Sequence, residues 1–271
     1  MAEIAGPLGR VLSTVDLAAG RHPRANALTV LRRCAVLGPG GNLDESSLLA
    51  WAVRTNLGHD DQLAAAVHRR RSAALAALSR HDAPGDGEPV VSRVVSLEPE
   101  SALLAGTGES GPRNVGLALH GTYGWPVLRG STLKGVALAY ATAVEDPDRH
   151  AIFGSAPQDD EPAPGEVAFL DAIWSGPVRA APHVLTPHAG DYYRDATRRT
   201  PPAEWANPVP VAFLAVEGGV FRAAVLGPRP LADRAAALLR AAADDLGVGA
   251  KTAAGYGYLR ATDPEPEGQP E

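Results

Sequence analysis

The chain has 271 residues, 45% of them hydrophobic and 21% charged, with a formal net charge of -6. That length holds one large or two modest domains with ample core, and the acidic balance argues against a generic nucleic-acid binder. A single cysteine, Cys34, excludes an internal disulfide framework and a thiolate-rich zinc site, and without an apolar run of membrane-spanning length or a basic-then-apolar leader the protein reads as soluble and cytoplasmic.

The first third reads as helical. Residues 44–57 and 60–80 carry apolar side chains at helical spacing, among them Leu63, Val67, Leu75 and Leu78, and Asp60 or Asp61 is placed to cap the second helix. His68-Arg69-Arg70-Arg71 interrupts that stripe and reads as a solvated face, with contact to a phosphate backbone as the alternative. The turn-rich segment 81–89 divides an N-terminal helical region, 1–88, from an α+β domain, 89–262, and 263–271 forms a flexible tail.

Past that linker the period changes to that of strands. Segments 90–97, 166–174 and 209–216 have strand length, and Pro208 and Pro210 demote the last to an edge or late-starting strand. Gly218-Gly219 predicts a tight hairpin into a strand over 220–226. One helix starts at Ser131 or Thr132 and runs to about Val144, a second covers 231–246, and a terminal strand is expected at 256–259. This order suits a ferredoxin-like, split βαβ sandwich.

Lysine occurs only twice, and each copy sits in a glycine-framed loop: Gly130-Ser131-Thr132-Leu133-Lys134-Gly135, and residues 247–257, which contain Gly249, Lys251, Thr252, Gly255 and Tyr256. Glycine lets a ligand approach the backbone, bare amides form an anion-binding concavity, and lysine adds a point charge. The first loop opens a helix, so the amides of Ser131, Thr132 and Leu133 are expected among its unpaired donors. Glycines 247 and 249 also fit a helix stop. Neither loop has P-loop spacing, so no nucleotide cofactor is implied. Charge is segregated alongside: from Gly111 to Tyr140 the only charged residues are Arg113, Arg129 and Lys134, and an acid-rich stretch follows from Glu145 to Asp171.

The stretch His120-Gly121-Thr122-Tyr123-Gly124-Trp125-Pro126-Val127-Leu128-Arg129-Gly130-Ser131-Thr132-Leu133-Lys134-Gly135 resembles the signature of the RAMP superfamily of CRISPR proteins. Asp171, Val184-Leu185-Thr186-Pro187-His188, Tyr192-Tyr193 and the segment 201–210, with the closing loop 247–258, are similar to the sixth-subunit family of the type III-B (Cmr) effector complex. The resemblance spans about 90–259 and implies a ferredoxin-like, RRM-like RAMP core. It also implies a non-catalytic subunit that binds the 3′ part of CRISPR RNA, meets backbone and head RAMP subunits, and touches target RNA only indirectly.

Carried over by motif position, Gly130, Ser131, Thr132, Lys134 and the loop 249–257, with Gly249, Lys251, Thr252, Gly255 and Tyr256, would lie near RNA, and His120, Tyr123 and Arg129 complete the RNA-contacting candidates. The residues taken alone agree: two lysines neutralise phosphates, and Tyr123, Trp125 and Tyr256 either stack unpaired bases or pack internally, as is favoured for Trp125. Gly255-Tyr256-Gly257-Tyr258 only weakly matches an RNA-recognition strand. His183, His188 and Asp191 share no helical face for a metal. The rival readings are a guide-processing endoribonuclease using His120, Tyr123 and Lys134, and a purely structural assembly subunit.

Overall fold

The computed structural model describes residues 3–5, 24–38, 40–79, 89–107, 117–155, 162–176, 178–197 and 199–262; the expected linker and C-terminal tail lie outside these. Strands β1 (Glu3–Ala5) and β2 (Ala35–Leu37) pair with each other, flanking α1 (Ala27–Arg33). Helices α2 (Glu45–Arg54) and α3 (Asp61–Leu78) follow, each begun by a carboxylate. Asp44 accepts from the Ser47 amide at 3.1 Å and Asp60 from the Leu63 amide at 3.0 Å, supplying donors that the first turn cannot pair internally.

Then come β3 (Val90–Pro99), β4 (Val127–Leu128), α4 (Gly130–Ala143), α5 (Arg149–Phe153), β5 (Ala168–Ser175), β6 (Arg179–Leu185), α6 (Gly190–Arg194), β7 (Val211–Glu217), β8 (Val220–Pro228), α7 (Arg229–Asp245) and β9 (Leu259–Thr262). The main sheet has the order β4-β5-β8-β3-β9 with every pairing antiparallel. Strand β8 therefore separates β3 from β5, and β3 separates β8 from β9, so β3-α4-β5 and β8-α7-β9 are two interlocked split βαβ units. This is the expected ferredoxin-like arrangement, extended at one edge by β4.

Successive side chains on a strand face opposite ways, and β3 shows what covers each face. Arg93 pairs with Asp233 on α7, whereas the Ser92 hydroxyl meets Ser79, just past the end of α3. Helix α7 thus lies on one face, packed beside α4, and α3 partly covers the other. Buried side chains of α1, α2 and α3 belong to the same apolar core as those of the sheet.

Three expectations need correction. The Gly218-Gly219 corner makes no hairpin: β7 pairs with β6, and β8 with β3 and β5. Both glycines have positive φ, 70° and 74°, and Gly219 lies against the Trp174 indole, so the corner passes the chain from one sheet to the other. The last strand starts at Leu259, because Gly255 and Gly257 hold left-handed conformations, φ 88° and 76°. Strand β6 is absent from the sequence reading because Pro182, which has no amide to donate, sits at its centre opposite Leu214.

Small residues set the spacing of the helical layer. Leu133, Ala137 and Ala141 are buried on α4, and Ala232, Ala235, Ala236, Ala242 and Ala243 on α7. Ala137→Leu should overpack this layer and lower unfolding free energy by roughly 1–3 kcal/mol in urea titrations; unchanged stability would contradict the packing.

Candidate nucleic-acid interface

The first lysine turn is built on β5. A Cβ at Gly130 would collide with the Phe169 carbonyl, so only glycine lets α4 start this close to the strand. The Gly130 amide donates to Asp171 Oδ1 at 2.7 Å, and the amides of Thr132 and Leu133 both donate to the Arg129 carbonyl, at 2.9 and 3.0 Å. For Thr132 and Leu133 the expectation of open donors is thereby corrected, and a carboxylate of the protein already occupies the positive end of the helix. Arg129 and Ser131 are exposed, Thr132 and Lys134 are half-buried, and the helix begins at Gly130, one residue earlier than expected.

The loop before that turn is a stack of rings. His120 stacks on Tyr123 at 4.8 Å and Tyr123 on Trp125 at 4.9 Å; Trp125 is buried and edges onto Trp174. His120 Nδ1 accepts from the amides of Thr122 and Tyr123 at 3.2 and 3.4 Å. Burial holds the imidazole below its ordinary value, aided by Arg71 and opposed by Asp171.

Helix α3 reaches this loop, which corrects the solvated-face reading for His68 and Arg71, while Arg69 and Arg70 are exposed as expected. His68 Nε2 meets the Trp174 carbonyl at 2.5 Å and Arg70 Nη2 donates to the Tyr123 hydroxyl at 2.6 Å. Arg71 is half-buried, its cation favoured by the charge of Asp171, and its Nη2 is buried without a hydrogen-bond partner among the described residues. The signal in the sequence was the interruption of an apolar stripe by three cations.

The second lysine turn is anchored by its own backbone. The Ala250 amide donates to the Leu104 carbonyl at 2.7 Å, Gly257 to Ala102 at 3.0 Å and Val248 to Gly257 at 2.7 Å. Gly249 lies hard against the Leu104 carbonyl and Gly257 against that of Val248, so these glycines serve close packing, and Gly247, with φ 71°, ends α7. Gly249 is therefore corrected from an open approach to an internal one.

Lys251 stays exposed in a left-handed conformation, φ 61°, followed by the Thr252–Ala254 turn and exposed Gly255. Tyr256 is half-buried against Phe213 and Leu104, with its hydroxyl 3.0 Å from His183 Nδ1, so its ring has internal partners where a stacking platform was one expectation. His183 Nε2 in turn meets Glu217 at 3.3 Å. Among the described residues no group of three side chains suits a metal ion, and no helix is long and apolar enough to cross a membrane.

The turns flank different strands: the first abuts β5 at Phe169, level with Arg93 of β3, and the second leads into β9 at Leu259, level with Pro99, so they are separated by roughly 14 Å across three strand positions and by roughly 20 Å along the strands, at about 4.8 Å per strand and about 3.3 Å per residue. One phosphate cannot reach both; an extended polyanion can. A third feature lies on the segment joining β6 to β7. There a cleft of about 420 Å³ is lined by His188, Tyr192, Arg194, Trp205 and Asn207 among others, and Trp205 and Tyr193 are 86% and 78% exposed. Asp195 accepts from the amides of Thr197, Arg199 and Thr200 and from both threonine hydroxyls, bonds that fasten this segment and hold its carboxyl far below the usual range.

The interlocked βαβ units with a Gly-Ser-Thr-Leu-Lys helix start and a glycine-rich turn before the last strand define a RAMP protein, and the RAMP superfamily description matches residues 96–260. The chain belongs to that superfamily. Within it, the chain is 43% identical over 103 residues to the CRISPR system Cmr subunit Cmr6 of Pyrococcus furiosus, an alignment covering 35% of this chain and 30% of that relative. The chain thus spans less than a third of that relative's length.

A chain in the cryo-EM structure of the type III-B Cmr-beta complex bound to cognate target RNA overlays with a TM-score of 0.58 at 18% identity, covering 84% of this chain and 78% of that one, and shares its fold. The crystal structure of Cmr6 from Pyrococcus furiosus overlays with a TM-score of 0.39 at 26% identity, over 64% of this chain and 99% of that one.

Because His120 is held below the ordinary histidine value of 6.5, the folded state binds fewer protons there than the unfolded chain. Its contribution to stability is complete above that value and is lost as pH falls below it. His120→Asn keeps an acceptor for the two amides but does not titrate, so it should flatten the fall of Tm between pH 7 and 5; a slope equal to wild type would contradict this.

Proposed function

We propose that this chain is a non-catalytic CRISPR RNA-binding subunit of a type III-B (Cmr) effector complex, holding the 3′ part of the guide and meeting target RNA only through it. The observation that carries the reading is the placement of the chain's two lysines. Each stands on a glycine-framed turn without a carboxylate partner among the described residues, on a RAMP core similar to Cmr6. Lysine neutralises phosphate as a point charge and reads no base, which suits a guide whose sequence varies.

The local chemistry favours binding over cleavage. A general base needs a free ring nitrogen within reach of the 2′-hydroxyl proton. His120 Nδ1 already accepts from two amides, its ring is stacked on Tyr123, and the Tyr123 hydroxyl is held by Arg70. Protruding Trp205 and Tyr193 give the β6–β7 side an apolar surface suited to the backbone and head RAMP subunits we propose as neighbours.

With Lys134→Ala and Lys251→Ala combined, RNA binding should weaken and the log–log salt slope should shrink by about 1.4, at about 0.7 per single-stranded phosphate contact. An unchanged slope would favour the purely structural alternative. Cleavage of repeat RNA by wild type but not by His120→Ala would favour the nuclease.

A further inference from the structure

Two stretches of this chain carry cations and no acids: 62–78, with Arg69, Arg70 and Arg71, and 117–144, with Arg129 and Lys134. They are distant in sequence, and the first lies wholly outside the segment that matches the RAMP superfamily. The fold sets them side by side. Arg70 of α3 bonds the Tyr123 hydroxyl in the loop leading to the first lysine turn, and Arg71 is within the electrostatic reach of Asp171, the carboxylate that receives the Gly130 amide of that turn.

We infer that α3 is part of the RNA-binding surface: Arg69 and Arg70, with Arg71 behind them, extend the phosphate track of the first lysine turn across the N-terminal helical region. The inference rests on the RNA-binding reading above and deepens it. Arg70 is bonded into the seam and Arg71 is coupled to Asp171 there; Arg69 precedes them on α3, Lys134 lies one turn into the helix that Gly130 begins, and His120 is shifted toward its neutral form. The surplus is positive on a protein whose net charge is -6, and such a local surplus attracts a polyanion that the overall charge would repel.

Arg71 adds a specific mark, a guanidinium nitrogen sealed from solvent and without a hydrogen-bond partner among the described residues. Buried donors are ordinarily satisfied. Sealed as it is, that nitrogen leaves Arg71 to act through its charge from behind the surface, and Arg70 can hold the loop through Nη2 while its other nitrogens remain donors.

The test is anisotropy of a fluorescein-labelled, unstructured 20-nucleotide oligouridylate with the full chain across a salt series. Wild type is compared with Arg69→Ala/Arg70→Ala, Arg69→Lys/Arg70→Lys, Arg93→Ala and Lys134→Ala/Lys251→Ala. The alanine pair should weaken binding at least several-fold and shrink the salt slope by about 1.4, the lysine pair should keep the slope, and Arg93→Ala, which removes an arginine paired with Asp233 away from the seam, should bind nearly as wild type. If only Lys134→Ala/Lys251→Ala loses binding, the role of α3 is overturned and the RNA-binding reading stands. If wild type does not bind the oligomer at low salt, both fall. An effect of Arg93→Ala as large as that of the alanine pair would assign the loss to overall charge and overturn the inference.

Discussion

Everything at the first lysine turn depends on how closely α4 approaches β5. Gly130 rests on the Phe169 carbonyl, and its amide is fixed to Asp171. A larger residue at that position would push the helix start outward and carry Lys134, one turn on, with it. The charge of the same carboxylate also favours the Arg71 cation of α3, so Asp171 couples the helix start electrostatically to the N-terminal helical region. Its physical content is a charge placed where a helix end offers bare donors, which satisfies the helix and leaves the lysines as the groups available to an outside anion.

The second turn is made by different means. Three glycines let the backbone double back against Leu104, Val248 and its own start, and the amides of Val248, Ala250 and Gly257 are spent on that fold. What remains at the surface is Lys251, in a left-handed conformation uncommon for a residue with a Cβ. The neighbouring tyrosine is drawn inward to His183 on β6, which meets Glu217 on β7, so the turn is tied to the β6–β7 sheet as well as to Ala102 and Leu104 in the segment after β3. Both turns thus offer side-chain charge on rigid backbone, spaced for a chain-like ligand.

Much of this was legible in the sequence because it depends on local pattern. Helices α2, α3, α4 and α7 and strands β3, β5, β7 and β8 follow from periodicity and punctuation; Pro208 and Pro210 correctly delay β7 to Val211. What escaped depends on contacts across the chain. Nothing local reveals that Trp174 sits on Gly219 and parts two strands joined by two glycines, or that Pro182 is tolerated because its strand pairs on one side only with β7. At the site, the lysines and the histidine were visible as residues, but the use of amides by Asp171 and Arg129 was not, since β5 lies some forty residues beyond the turn. The arginines of α3 looked like a solvated face because their partners lie more than fifty positions away.

The central claim is that an extended RNA strand runs across the surface bearing Lys134 and Lys251, and photo-cross-linking tests it most directly. RNA carrying 4-thiouridine at single positions, bound by the full chain within its assembled complex, should give adducts on peptides spanning 120–134 and 251–256. Adducts confined to the 184–209 side, around Trp205 and Tyr193, with neither lysine turn marked, would contradict it.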